Sequence, residues 1–210
     1  MSSPLFTEPA DAECEPELTI LFVCTGNICR SPLAERLTRA RLATALGPRA
    51  ATVQVRSAGT HAAAGGGMDP LSARVLQDLG GDSAGFVAQP LTGRLAVAAD
   101  LTLCMTRQHR QEVLARAPRA LARTFTLREA AGLLALVPAG ELPGGTTRER
   151  ARALVAALAA ARPRRAGGAD DDIADPIGQA DSVHHEVGQQ IEAALRPLVD
   201  RLGALVAAHA

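Results

Sequence analysis

The chain contains no lysine, no tryptophan and no tyrosine, and aromatic residues make up only 2% of it. Without lysine, the protein cannot form a Schiff base with a carbonyl compound or hold a nucleotide phosphate with the lysine of a Walker-type loop. The scarcity of aromatic rings argues against a surface that stacks on nucleic-acid bases. The 22 basic residues are all arginine, and 22 acidic residues balance them. We therefore expect neither a nucleic acid nor a membrane as a partner.

Cysteine is also scarce, with four residues at positions 14, 24, 29 and 104. They are neither spaced as zinc ligands nor dense enough for a disulfide framework. No apolar stretch approaches the roughly 18 residues of a membrane-spanning helix, and no signal peptide is recognisable. We therefore expect a cytoplasmic protein with reduced cysteines, no metal and no other cofactor.

A chain of 210 residues with 47% hydrophobic residues can bury a full core, and we expect one domain over residues 18–210. Residues 1–17 are acidic, contain proline and lack periodicity, which predicts a flexible tail. We expect residues 138–169 to be an elaboration added to the core of this domain. In it, Thr146 and Thr147 can cap an alanine-rich helix that ends at Ala161, and an arginine-rich, solvated linker follows.

The stretch that organises the chain runs from Leu18 to Leu37. Leu18–Val23 is a continuous apolar run, typical of a buried parallel strand. Ser31 followed by Pro32 predicts the start of a helix, with Ser31 as its N-cap. A short turn from a strand into a helix directs several backbone N–H groups towards one point, where the helix dipole adds positive charge. The sequence therefore predicts an anion-binding loop at this turn.

The chemistry of that loop depends on a thiol. Cys24 lies at the focus of the loop, where positive charge favours its thiolate form. Arg30 brings a planar guanidinium that matches two oxygens of an oxyanion, and Ser31 can donate a hydrogen bond to the thiolate. Gly26 and Asn27 can adopt the positive φ that such a loop requires. A thiolate beside an oxyanion site is a nucleophile placed to attack phosphorus.

The string C-T-G-N-I-C-R-S-P from Cys24 to Pro32 resembles the signature loop of the low-molecular-weight protein-tyrosine phosphatases, mainly their bacterial branch. The resemblance implies that Cys24 forms a phosphocysteine, Arg30 clamps the phosphate, Asn27 braces the loop and Ser31 stabilises the thiolate. It also implies that Cys29 can trap Cys24 as a reversible disulfide. The residues expected to bind phosphate in this loop are Thr25, Gly26, Asn27, Ile28, Cys29 and Ser31.

The rest of the chain alternates strands with helices. Ala51–Ser57, Ala99–Met105 and Arg123–Leu127 are the further strands, and a long helix from Asp181 to Ala208 carries an apolar stripe. Such alternation predicts an α/β fold, a doubly wound sheet with helices on both faces and a site at the carboxyl ends of the strands. The family resemblance, supported by Ser57-Ala58-Gly59, implies four parallel strands. His109 is predicted to lie on the surface.

A phosphatase of this kind also needs an acid, because an alkoxide or phenolate leaves poorly without a proton. Asp170, Asp171, Asp172 and Asp175 are all available. We choose Asp175, because Pro176 restricts the backbone beside it and because the pair matches the family's aspartate-proline. The other three are interpreted as charged loop residues.

Departures from the family pattern concern the substrate pocket, predicted to comprise Ile28, Met68 and Ile177. Tyrosine phosphatases of the family usually place an aromatic residue where this chain has Ile177. The segments MTRQHR and FTLREA resemble the bacterial protein-arginine phosphatases, which carry threonine where this chain has Ile28. We therefore expect phosphotyrosine in proteins as the substrate, with phosphoarginine as the alternative. A cognate bacterial kinase is a candidate partner.

Two further functions are weaker. A thioredoxin-coupled arsenate reductase shares the loop but needs a downstream cysteine pair, and only Cys104 is available. A non-catalytic phosphate-binding regulator would need neither Cys24 nor Asp175.

Overall fold

The computed structural model describes residues 16–138 and 145–207. Within them, four parallel strands form one sheet in the order β2-β1-β3-β4: β1 (Leu18–Cys24), β2 (Val53–Gly59), β3 (Leu101–Cys104) and β4 (Thr124–Thr126). The predicted α/β fold with four parallel strands is confirmed.

Seven α-helices lie in the described ranges: α1 (Arg30–Leu46), α2 (Pro70–Asp78), α3 (Gly93–Ala98), α4 (Arg107–Arg116), α5 (Leu127–Leu134), α6 (Thr147–Ala161) and α7 (Asp181–Ala207). The sequence pattern did not indicate α3, which is short. Four 3₁₀ segments complete the regular structure: Gly47–Thr52, Pro118–Arg123, Arg162–Arg164 and Ala169–Asp171.

The order of the strands indicates where a ligand-binding site lies in this fold. The chain runs from β1 outwards to β2 on one side and then to β3 and β4 on the other. Ligands of open α/β sheets bind at the carboxyl ends of the strands where the order reverses in this way. Here the reversal lies beside β1, and Cys24 is the last residue of β1.

Side chains of β1 alternate between two buried layers. Ile20 and Phe22 pack into a large cluster with residues of α1, α5, α6 and α7. Leu21 and Val23 pack into a smaller cluster with residues of α3 and α4. The sheet is therefore covered by helices on both faces, which explains why the strand is apolar at nearly every position, with Thr19 as the exception, rather than alternating.

The elaboration at 138–169 contributes to the main core. Helix α6 begins after Thr146, whose side chain forms a capping box with Glu149, and its apolar face joins the large cluster. The prediction of a solvated linker after it is wrong for two of the three arginines, while Arg164 is exposed as expected. Arg162 lies over the ring of Phe125 at 4.1 Å from the centroid, and Arg165 forms an ion pair with the buried Asp171. Residues 139–144 lie outside the described ranges.

The predicted tail at 1–17 lies mostly outside the described residues too. At its end, the backbone N–H of Glu17 donates to Thr52 O at 2.8 Å. The division of the chain at residues 17 and 18 stays a prediction. Helix α7 agrees with its predicted start and packs against α1, α2 and α5, while Ala208 lies beyond the described part.

Candidate active site

The loop between β1 and α1 surrounds the thiol of Cys24. Cys24 is 2% exposed, and its Sγ lies 2.9 Å from Ser31 Oγ. Helix α1 begins at Arg30 with Cys29 at the N-cap position, so Ser31 is not the N-cap that the sequence predicted. Its hydroxyl is thereby available to Cys24. A hydroxyl that donates to sulfur favours the thiolate over the thiol.

Asn27 holds the loop in shape. Its backbone adopts φ 53°, the one positive φ among the described residues other than glycine, while Gly26 stays outside that region. Its side-chain Nδ2 donates to Ser31 Oγ at 2.9 Å and to Ser57 Oγ at 2.8 Å, and its Oδ1 accepts from the backbone N–H of Gln89 at 2.9 Å. The start of α1 and two distant segments therefore fix this fully buried amide.

A buried carboxylate sets the direction of these hydrogen bonds. Ser57 donates its hydroxyl proton to Glu35, and its oxygen accepts from Asn27. The oxygen of Ser31 likewise accepts from Asn27, so its proton remains for Cys24. Neither Glu35 nor Gln89 was predicted from the sequence. Glu35 lies one helical turn after Ser31, but nothing in the local pattern of Gln89 indicates its role.

Arg30 connects the loop to the segment that carries the predicted acid. Its guanidinium is buried, with Nη1 donating to Ile173 O at 2.9 Å and Nη2 donating to Thr25 Oγ1 at 3.3 Å. Nη2 also forms an ion pair with the carboxylate of Asp175. Its Nε is buried and donates to no described residue. A planar donor of this kind suits an oxyanion bound in the loop.

Of the four candidate aspartates, Asp170 is exposed, and the other three fall into two kinds. Asp175 is 40% exposed and lies at the cavity beside Arg30. Asp171 and Asp172 are structural, because Asp171 binds Arg165 and Asp172 binds the backbone and guanidinium of Arg107. Burial opposes ionisation of Asp172, but the hydrogen bonds from Arg107 outweigh it and hold the pKa of that carboxyl below its usual range.

A cavity of about 130 Å³ opens above the thiol. Its lining contains most of the predicted site: Cys24, Thr25, Gly26, Ile28, Cys29, Arg30, Asp175 and Ile177. The structure does not bring Met68 there, because this side chain packs against the large core cluster instead. Burial raises the pKa of the Cys29 thiol to about 12, although a hydrogen bond with Ser72 opposes the rise. In the described part of the chain, no cluster of three or more metal-ligating side chains occurs.

The model of the family described as low molecular weight phosphotyrosine protein phosphatase matches residues 19–132. The chain belongs to this family. It is therefore a phosphatase, a hydrolase whose relatives act on phosphorylated proteins.

Curated relatives of this phosphatase carry two names. A protein-arginine-phosphatase of Bacillus subtilis (strain 168) is 40% identical over 112 residues, 53% of this chain and 71% of the relative. The low molecular weight protein-tyrosine-phosphatase Etp of Escherichia coli (strain K12) is 40% identical over 107 residues, 51% of this chain and 67% of the relative.

Solved structures extend the likeness towards the C-terminus. The YwlE arginine phosphatase from Geobacillus stearothermophilus aligns with a TM-score of 0.64 at 27% identity, covering 92% of this chain and 97% of that one. The tyrosine phosphatase Wzb from Escherichia coli K30, solved with sulphate, aligns with a TM-score of 0.61 at 26% identity and covers 88% and 97%.

The position of one histidine of this phosphatase also differs from the prediction. His109 is not on the surface but 5% exposed, and its Nε2 lies 2.9 Å from Thr25 Oγ1 in the phosphate loop. Its Nδ1 lies 2.9 Å from the hydroxyl of Thr106, the N-cap of α4. Burial and the nearby guanidinium of Arg30 lower the pKa of His109 to about 4. The pattern T-x-x-H at a helix start indicates capping but not burial, so the sequence held no signal for this contact.

Proposed function

We propose that this phosphatase hydrolyses phosphotyrosine in proteins, with Cys24 as the nucleophile, Arg30 as the phosphate clamp and Asp175 as the general acid. The observation that carries the proposal is the 2.9 Å contact between Cys24 Sγ and Ser31 Oγ, inside a loop whose buried arginine is paired with Asp175. A regulator that only bound phosphate would need neither the thiol nor the carboxyl.

In the first step the thiolate of Cys24 attacks phosphorus, and the bond between phosphorus and the phenolic oxygen breaks. Asp175 gives its proton to the departing oxygen, which leaves as tyrosine. Backbone N–H groups of the loop and the guanidinium of Arg30 stabilise the equatorial oxygens of the transition state.

In the second step Asp175, now a carboxylate, removes a proton from water. The resulting hydroxide attacks phosphorus and the phosphorus–sulfur bond breaks, which restores the thiolate and releases inorganic phosphate. The exposed position of Asp175 at the mouth of the cavity supports this role, since water reaches it there.

Phosphoarginine is the second candidate substrate. The wall formed by Ile177 is aliphatic and 47% exposed, so it provides no ring to stack on phosphotyrosine. Two of the relatives named above are arginine phosphatases. Ile28, which also lines the cavity, favours phosphotyrosine, because the resemblance to arginine phosphatases implies threonine at that position.

The test compares phosphate release from two peptides of one sequence, one with phosphotyrosine and one with phosphoarginine. We expect the larger kcat/KM for the phosphotyrosine peptide. A larger value for phosphoarginine would assign the protein to the alternative, and release from neither peptide would contradict both.

The proposal extends to the setting of the reaction. The substrate is a phosphorylated protein, a cognate bacterial kinase is the candidate partner, and the reaction takes place in the cytoplasm, where Cys24 stays reduced. No helix in the described ranges is long and apolar enough to cross a membrane. We also propose that Cys29, which lines the same cavity, traps oxidised Cys24 as a disulfide.

A further inference from the structure

Two side chains at the edge of the phosphate loop, Thr25 and His109, form a contact that the reaction described above does not use. We propose that the hydroxyl of Thr25 donates a hydrogen bond to the bound phosphoryl group and that His109 positions this hydroxyl. The inference rests on the proposed phosphatase reaction at Cys24 and adds a donor to it.

The protonation of His109 decides which of its two nitrogens can donate a hydrogen bond. The imidazole is neutral around pH 7, since burial lowers its pKa to about 4. A neutral imidazole has one donor nitrogen and one acceptor nitrogen. The contacts of its two nitrogens therefore decide which one carries the proton.

The contact with Thr106 indicates that Nδ1 is the acceptor. Thr106 Oγ1 already accepts from the backbone N–H of His109 at 3.2 Å, and its own proton has no other protein acceptor in the ranges that the structure describes. The Thr106 hydroxyl therefore donates to Nδ1 at 2.9 Å. The positive end of α4, which begins at Arg107, also favours an unprotonated nitrogen at this position.

With Nδ1 as the acceptor, Nε2 carries the proton and donates to Thr25 Oγ1 at 2.9 Å. Arg30 Nη2 donates to the same oxygen at 3.3 Å. Both lone pairs of Thr25 Oγ1 are then occupied by donors, and its single proton is left to donate.

Thr25 lines the cavity together with Cys24 and Arg30. An acceptor within reach of its hydroxyl in that cavity is an oxygen of the phosphoryl group. A hydrogen bond to an ionised oxygen is roughly twice as strong as a neutral one. His109 is a positioning residue, because it touches Thr25 and not the substrate. The opposite tautomer would make Thr25 donate to Nε2 and remove its proton from the cavity.

The first test measures the tautomer directly. Long-range proton–nitrogen NMR spectra of the histidine-labelled full chain distinguish a protonated Nε2 from a protonated Nδ1. We expect the Nε2–H form for His109 at pH 7. The Nδ1–H form would overturn the inference, whatever the catalytic activity.

The second test uses orthovanadate as a competitive inhibitor of aryl phosphate hydrolysis. Thr25→Val should weaken inhibition by about tenfold to a hundredfold, the factor expected for one hydrogen bond to a charged group. His109→Phe should have a similar effect, and the double variant should lose no more than Thr25→Val alone. His109→Gln, whose amide can donate to Thr25, should restore most of the inhibition.

The exposed His185 on α7 provides the matched control, and His185→Phe should leave inhibition unchanged. Unchanged inhibition in Thr25→Val, or additive losses in the double variant, would overturn the inference while the parent enzyme remained active. A parent enzyme that released no phosphate from any ester would contradict the proposed function instead, and the NMR test would still report the tautomer. The Gln variant and the NMR measurement decide the question if His109→Phe does not fold.

Discussion

The two halves of the candidate site differ in how far water reaches them. Cys24, Asn27, Arg30 and Ser31 are at most 3% exposed, and hydrogen bonds of Ser31 join Cys24 to Asn27. The side chain of Asp175 is 40% exposed, and that of Ile177 lies open at the rim. In the proposed reaction the buried half fixes the geometry for a phosphoryl group, whatever carries it. The exposed half would meet the leaving group, so we expect differences between substrates to be decided there.

The largest effect is expected in the buried half. Cys24→Ser keeps the contact with Ser31 but replaces the thiolate by a hydroxyl, which stays protonated at neutral pH and is a poor nucleophile. We expect aryl phosphate turnover to fall by more than about 10⁴-fold. Phosphate release by the folded variant, checked by circular dichroism, is the measurement. Full activity would exclude Cys24 as the nucleophile.

In the exposed half, the effect should depend on the substrate. Asp175→Asn removes the proton donor, and turnover of substrates with poor leaving groups should fall by about 10²–10⁴-fold. Substrates with acidic phenols should lose much less, since they leave without a proton. A series of aryl phosphates of increasing phenol pKa measures the difference. Asp170→Asn is the control, because Asp170 is an exposed carboxylate on the same segment. Equal losses across the series would contradict the acid role.

The third prediction asks whether the buried network also stabilises the fold. Asn27→Ala removes three hydrogen bonds: the backbone N–H of Gln89 loses its acceptor, and the hydroxyls of Ser31 and Ser57 each lose a donor. We expect a loss of about 2–3 kcal/mol in the free energy of unfolding, together with reduced turnover. Urea denaturation measures the first quantity. Gln54→Ala, an exposed position on β2, should change stability by less than about 0.5 kcal/mol. Equal losses of stability in the two variants would mean that the side-chain amide of Asn27 does not stabilise the fold.

The fourth prediction concerns Cys29, a buried residue that lines the same cavity as Cys24 and Asp175. Hydrogen peroxide should oxidise Cys24 to a sulfenic acid, and attack by Cys29 should form a disulfide and release water. Because burial raises the pKa of Cys29 to about 12, its thiolate fraction is small at neutral pH and grows as pH rises. Disulfide formation should therefore be faster at pH 9 than at pH 7. Recovery of activity by a thiol reductant is the measurement.

In Cys29→Ala, prolonged peroxide treatment should lead to loss that the reductant does not reverse, since sulfinic acid accumulates. Irreversible loss in the parent enzyme would contradict the disulfide.

The sequence predicted the parts of this molecule that local chemistry determines. The apolar run of β1, the cap at Thr146 and the stripe of α7 are each set by neighbouring residues, and the structure agrees with them. The C-T-G-N-I-C-R-S-P string predicted six of the eight residues that line the cavity for the same reason.

What the sequence did not predict depends on long-range packing. His109 reaches Thr25 across 84 positions and Gln89 reaches Asn27 across 62, and no local pattern distinguishes such residues from surface ones. Met68 was expected at the cavity because it is the only large apolar residue of its loop. In the structure its side chain packs against the large core cluster instead. Arg162 was predicted to be a solvated charge, but in the structure its guanidinium lies over the ring of Phe125.

The smallest effect tests whether the rim alone selects the substrate. Ile177→Tyr would place a ring at the exposed wall of the cavity, at the position where tyrosine phosphatases of the family carry an aromatic residue. Stacking on phosphotyrosine is worth about 0.5–1.5 kcal/mol beyond area burial, which corresponds to a gain of about 2–10-fold in kcat/KM. Phosphoarginine peptides should gain less, and the hydrolysis of a small alkyl phosphate should not change.

A uniform change across the three substrates would mean that residue 177 acts through the loop or through Asp175. The carboxylate of Asp175 accepts a hydrogen bond from the backbone N–H of Ile177 at 3.3 Å. The separation between a buried half that binds phosphate and an exposed half that selects the substrate would then fail at this residue.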